Sequence, residues 1–251
     1  MTIESDILKK LEAVKKEIRE SKETKRVDKA EDVKTRNTFA RGESSVMFLF
    51  DATGSMRRFW EETQAIMSEM VSRITKVGNV KLKCVAYRDY CDGSRIFEQS
   101  KWHSEAAPLI DFISRIVCNG GGDEPEAVED ALALAYKEKE KVTRVVLIGD
   151  APPHSLDAAK QQAKMLGKNG RPVFAFLVGG DHETGSAFSQ IAKVSNGAYG
   201  KLSNYKDLLD MMSLAIVHDI GGDKEVSKYL RKYDTSDSVK EYSRSLPSYK
   251  K

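Results

Sequence analysis

Val46-Met47-Phe48-Leu49-Phe50-Asp51-Ala52-Thr53-Gly54-Ser55-Met56 is the segment whose reading decides the fold. An unbroken apolar run enters an aspartate, and hydroxyl residues follow at alternate positions. Such a run, closed by a glycine-containing turn, reads as a strand buried on both faces of a parallel sheet. Open α/β sheets keep their binding sites beyond the carboxyl ends of their strands. One carboxylate and two hydroxyls presented there form a hard-oxygen donor set. That set suits Mg²⁺, with Mn²⁺ or Ca²⁺ as alternatives.

A second apolar run, residues 144–150, also ends in an aspartate, Asp150. In a parallel sheet both termini point to the same edge, so Asp51 and Asp150 are expected to meet. Between them in sequence lies Gly120-Gly121-Gly122-Asp123-Glu124-Pro125-Glu126, whose glycines permit tight turning beside a bound ion. Asp51, Thr53, Ser55, Asp150 and a carboxylate from Asp123 or Glu126 are the candidate ligands. Taken singly, Asp51 and Asp150 also fit helix caps at strand–helix turns, and Asp123 fits a helix-dipole partner. His154 reads as a hydrogen-bonded loop residue, since an oxygen donor set does not favour imidazole-seeking metals.

Outward from these segments, strands alternate with amphipathic helices. Strands are expected at 80–87, 172–178 and 197–202, with a short edge strand at 95–98. Helices are expected at 59–74, 108–117, from the Gly-rich loop to about 139, and at 155–166, 185–194 and 206–217. Gly167 and Gly170 read as stops for the fourth of these. The alternation implies a doubly wound, mostly parallel, Rossmann-like α/β sheet with an N-terminal helical extension.

The chain divides into a charged N-terminal helix and connector (1–41), the α/β domain (42–218) and a polar C-terminal tail (219–251). Ile7, Leu11, Val14 and Ile18 form a short seam on the first segment, which suits docking or a partner contact. In the tail, 223–232 reads as helical and 234–238 as flexible. Of the net charge of +3, the central segment carries −2 and the two ends the remainder. No basic stripe interleaved with aromatics points to nucleic acid. Cys84, Cys91 and Cys118 are too few and too spread for a disulfide framework or a cysteine metal site. The opening residues show no signal-peptide pattern, and no apolar run reaches the roughly 18 residues of a membrane span. The expectation is a soluble cytoplasmic protein without membrane contact.

Asp51-x-Thr53-x-Ser55 resembles the D-x-[ST]-x-S motif of von Willebrand factor type A domains, which builds a metal-ion-dependent adhesion site (MIDAS). Asp123-Glu124-Pro125-Glu126 and Asp150-Ala151-x-x-His154 are similar to segments of integrin β I-like domains, and the combination also resembles intracellular domains joined to α-kinases. The resemblance implies a metal shell of Asp51, Thr53, Ser55, Glu126 and Asp150, with Asp123 nearby and Glu126 the closer of the two loop acids. It implies a non-enzymatic module that binds a carboxylate of a partner protein through Mg²⁺, with an AAA-type ATPase or a kinase among the partners. Met56-Arg57-Arg58 stands where an adjacent calcium site needs acids, so that second site is expected to be absent. An alternative resemblance, Asp51-Ala-Thr-Gly-Ser55 to the phospho-acceptor motif of haloacid-dehalogenase-type phosphatases, makes Asp51 a nucleophile with Asp150 and Asp157 as Mg²⁺ ligands. In that scheme Thr53 replaces the usual general acid, and the Gly-rich loop has no role.

Overall fold

The computed structural model describes residues 44–245, apart from 77–78, 123–124, 139–141, 180 and 203–204. The expected N-terminal helix lies outside the described residues. In chain order the elements are β1 (Ser44–Asp51), α1 (Trp60–Thr75), β2 (Val80–Tyr87), β3 (Phe97–Gln99), α2 (Ala106–Arg115), α3 (Val128–Lys137) and β4 (Arg144–Gly149). There follow α4 (Leu156–Lys168), β5 (Val173–Leu177), α5 (His182–Val194), β6 (Tyr199–Lys201), α6 (Tyr205–Lys232) and α7 (Asp237–Ser245). The strands form one sheet in the order β3-β2-β1-β4-β5-β6. All neighbours are parallel except β2 and β3.

Period-two alternation divides the strand side chains between two cores. Phe48, Phe50, Val146, Ile148, Phe174 and Phe176 face one side, with residues of α1, α2, α6 and α7. Met47, Leu49, Val145, Leu147, Val173 and Ala175 face the other, with α3, α4 and α5. β1 is buried along its whole length, as its uninterrupted apolar run requires.

Two sequence expectations are corrected. Gly167 does not end α4, which continues to Lys168. A Cβ at Gly167 would stand 2.7 Å from the Ser195 backbone, so this glycine permits a close approach to the end of α5. The stop is Gly170, at φ +69°. The helix expected at 223–232 is present, and the second correction concerns what flanks it. α6 runs through Gly222, where φ of +62° kinks it, and residues 237–245 are helical. The reason is burial: Val226, Tyr229 and Val239 join the core, and the Tyr242 ring meets Phe174 edge-on at 6.4 Å. Arg73 of α1 bonds Asp210 and the Tyr229 hydroxyl, tying both halves of α6 to the first helix. Val239→Ala removes two methyl groups from a fully buried position. It is expected to cost about 2 kcal/mol and to lower the thermal midpoint by several degrees, measured by thermal unfolding of the whole chain.

Candidate metal centre

Phe50 of β1 stands opposite Ile148 of β4, so Asp51 and Asp150 emerge side by side at one sheet edge. Close approach depends on Gly149. A Cβ there would lie 2.6 Å from the Tyr87 hydroxyl and 3.2 Å from Asp51 Cβ. Asp51 is fully buried, and its Oδ1 accepts hydrogen bonds from the Thr53 amide at 2.9 Å and the Thr53 hydroxyl at 2.7 Å. The Thr53 and Ser55 hydroxyls are 3.1 Å apart, and Ser55 Oγ donates to Asp150 Oδ1 at 3.0 Å. A continuous oxygen chain therefore runs from Asp51 through Thr53 and Ser55 to Asp150. Ser55 is its exposed member.

Glu126 closes the other side. Its amide donates to Pro152 O at 2.9 Å, which anchors the acidic loop to the segment after β4. The Gly-rich loop passes directly over the site: a Cβ on Gly121 would lie 3.0 Å from Glu126 Oε1 and 3.2 Å from Thr53 Cβ. Two backbone bonds seat this loop on the exit of β1, Asn119 N to Ala52 O at 3.0 Å and Gly54 N to Gly120 O at 3.1 Å. Asp123, the other loop acid expected near the ion, lies outside the described residues.

Asp92 holds the loop from outside. Its Oδ2 accepts from Gly121 N at 2.9 Å, and its Oδ1 pairs with Arg95 at 3.0 Å. Gly120, at φ +82°, leaves no room for a side chain, since a Cβ would stand 2.0 Å from Asp92 Oδ1. Gly120→Ala is therefore expected to displace the loop and weaken cation binding at least tenfold. Calorimetric titration with Mg²⁺ measures this, and the change in fold stability is expected to be only about 1–2 kcal/mol.

Below the loop, the Arg88 guanidinium is 2% exposed. It bonds Arg95 O and Val117 O and pairs with Glu98 at 2.6 Å. His154 is a loop partner rather than a member of the oxygen chain. Its Nε2 lies 2.6 Å from Asp89 Oδ1, and its ring meets Tyr90 at 4.6 Å. Burial works to raise Asp89, but hydrogen bonds from His154, the Tyr90 amide and Cys91 outweigh it and hold the carboxyl down at about 2.

The three acids at the centre behave oppositely. Burial, then the charge of Asp150, pushes Asp51 well above the carboxylate range. Burial pushes Glu126 up to about 9, with the Asp51 charge the next cause. Asp150 is raised as well, chiefly by burial. Asp51 Oδ2 and Glu126 Oε2 are buried with no hydrogen-bond partner among the described residues. Buried carboxylate oxygens without a partner, among mutually repelling acids, are what a bound cation would neutralise. Among the described residues no three histidine, cysteine, aspartate or glutamate side chains converge to hold one unaided. With the Thr53 and Ser55 hydroxyls beside the three acids, the candidate donors form an all-oxygen set, and such a set fits a hard divalent ion.

The phosphatase reading fares poorly against this geometry. Asp157, the further acid it requires, projects into solvent at 95% exposure and pairs with Lys160. Asp51 has no exposed surface for attack on a phosphate. Among the described residues no helix is long and apolar enough to cross a membrane.

The model of the von Willebrand factor A domain family matches residues 45–218. Curated protein sequences give no match. Among solved structures, the chain is similar to proximal thread matrix protein 1 from the mussel byssus, determined with a zinc-occupied MIDAS motif. Identity is 19% and the TM-score 0.53, covering 68% of this chain and 45% of that one. The pilus adhesin SpaC from Lactobacillus rhamnosus GG is 12% identical with a TM-score of 0.57, covering 72% of this chain and 30% of that one. The human COPII-coat protein Sec24c is 10% identical with a TM-score of 0.52, covering 72% and 33%. The chain thus spans less than half the length of each of these proteins, and at such identities the likeness is one of fold. With the family model matching most of its length, and two strand-end aspartates and two hydroxyls linked at the sheet edge, the chain belongs to the von Willebrand factor A domain family, whose members generally mediate metal-dependent protein–protein interaction.

Proposed function

We propose that this chain is a Mg²⁺-dependent protein-interaction module that captures an acidic residue of a partner within a cytoplasmic multiprotein assembly. The observation that carries the reading is the pair of buried, unpartnered oxygens, Asp51 Oδ2 and Glu126 Oε2, beside the hydroxyl chain. A bound divalent ion supplies positive charge and an open coordination position for an incoming carboxylate. Thr53 and Ser55 offer neutral oxygens and so leave that charge uncancelled. Asp51 and Thr53 are fixed by their mutual hydrogen bonds, while the exposed Ser55 stands on the side from which a ligand enters. Asp150 holds Ser55 in place through its Oδ1. Mg²⁺ is preferred because all the candidate donors are oxygens, with Mn²⁺ or Ca²⁺ as the substitutes to compare. An AAA-type ATPase or a kinase is the class of partner to seek first.

The test is affinity capture from cell extract with the intact chain, in Mg²⁺ and in EDTA, alongside Asp51→Ala. A partner held by the wild type in Mg²⁺ and released by EDTA or by the substitution supports the reading. Equal capture in every arm overturns it.

A further inference from the structure

Three exposed arginines stand at the mouth of the site in a domain segment whose net charge is −2. Arg57 and Arg58 directly follow the β1 motif, and Arg95 lies on the loop after β2. Arg58 is accounted for by its neighbours, with its guanidinium 4.5 Å over the Phe59 ring and its charge felt by Asp150. Arg57 and Arg95 are different, because they bond consecutive residues of one loop. Arg57 Nε donates to Cys118 O at 3.4 Å, and Arg95 donates to Asn119 Oδ1 at 3.3 Å. Both guanidinium groups are therefore tied to one two-residue stretch of the loop, Cys118–Asn119.

The same loop residue Asn119 bonds Ala52, next to the Thr53 ligand, which places the patch within one loop width of the oxygen chain. Asp92 pairs with Arg95, but its side chain is 2% exposed and its other oxygen is committed to Gly121. It neutralises one of the two charges and turns no carboxylate outward. Among the described residues, neither Nη atom of Arg57 has a partner. Beside the patch, Val117 is 63% exposed, the most open large hydrophobic residue described. Free guanidinium donors next to a bare aliphatic side chain are what a protein interface leaves uncovered, and arginine forks match carboxylates in pairs.

We propose that the partner presents two acidic residues, one for the metal centre and a second, at a fixed spacing, for the Arg57–Arg95 patch, with an apolar side chain against Val117. The proposal rests on the metal-bridged reading above and specifies what that reading leaves open, the chemistry flanking the bound carboxylate. The arginines set the orientation of the segment and exclude partners with a basic residue at the second position.

The probe is a phage-displayed library of random peptides, selected on the full chain in millimolar Mg²⁺ and eluted with EDTA. The expected result is that EDTA-released peptides carry two acids at constant spacing. Selection on Arg57→Gln/Arg95→Gln is expected to return peptides with a single acid, and Arg57→Lys/Arg95→Lys to restore the pair. A synthetic two-acid peptide is expected to bind the Gln variant about tenfold more weakly than the wild type, with the difference shrinking in high salt. Because Arg57 and Arg95 also bond the loop beside the site, Mg²⁺ titration and thermal unfolding are read on both variants, and a Lys variant that keeps wild-type values while restoring the pair separates lost recognition from lost folding. Wild-type peptides with one acid only overturn the patch and leave the metal-bridged reading standing. If no peptide is released by EDTA, the metal-bridged reading falls and this proposal with it.

Discussion

Asp51→Asn is expected to abolish the stabilisation of the protein by Mg²⁺ while making the cation-free protein more stable than the wild type. The two effects have opposite signs and one origin. Asp51 is wholly buried, and its Oδ1 takes two hydrogen bonds from Thr53 that an asparagine carbonyl also accepts. Its Oδ2 has no partner among the described residues. Asparagine places an N–H₂ donor there, facing carboxylates instead of repelling them. Replacing a buried acid that at neutral pH must either carry its charge or hold a proton against its ordinary range is expected to gain on the order of 1–3 kcal/mol without cation. The same change deletes a charged ligand, so the rise in thermal midpoint on adding Mg²⁺ should vanish. Thermal unfolding at neutral pH, in EDTA and in millimolar Mg²⁺, measures both effects. A variant that keeps the wild-type response to Mg²⁺ would show that the cation, if bound, sits elsewhere.

The second large effect is a pH dependence that the cation reverses. Glu126 is raised from 4.5 to about 9, and Asp51 and Asp150 are raised with it. Between those values the unfolded chain has released protons that the folded, cation-free chain retains. A state that binds more protons loses ground as pH rises. The stabilisation is therefore fully present below about pH 4.5 and fades as pH climbs toward about 9. At roughly 1.4 kcal/mol per unit, the loss is on the order of several kcal/mol. Mg²⁺ binds the ionised form and gains where protons leave. The difference in thermal midpoint with and without Mg²⁺ should thus widen steadily from about pH 5 to about pH 9. A difference that is flat with pH would mean that Glu126 and Asp51 take no part in binding.

Most of the sheet was legible because the strands that face helices on both sides carry apolar runs that only a buried parallel strand explains. Asp51 and Asp150 could be paired from sequence for the same reason: each interrupts such a run at its carboxyl end. The parts that were not legible depend on partners remote in sequence. Nothing local marks Asp92 as the clamp on Gly120 and Gly121, since it is one acid in a polar loop. Gly167 looks like a helix stop until Ser195 is brought against it. The C-terminal helix offers only Val239 and Tyr242 as apolar anchors, too sparse a pattern to distinguish from a flexible tail before the Phe174 face is in place.

The strand order carries a kinetic consequence. β1 lies between β2 and β4, and its pairing with β4 joins Phe50 to Ile148 across nearly a hundred residues of intervening chain. Asp51 and Asp150 cannot meet until that distant closure is made, and closures of long loops come late in the assembly of a sheet. A cation that needs both aspartates has nothing to grip in the nascent chain. Bound there, it would act as a latch on the finished molecule, slowing its opening rather than hastening its formation.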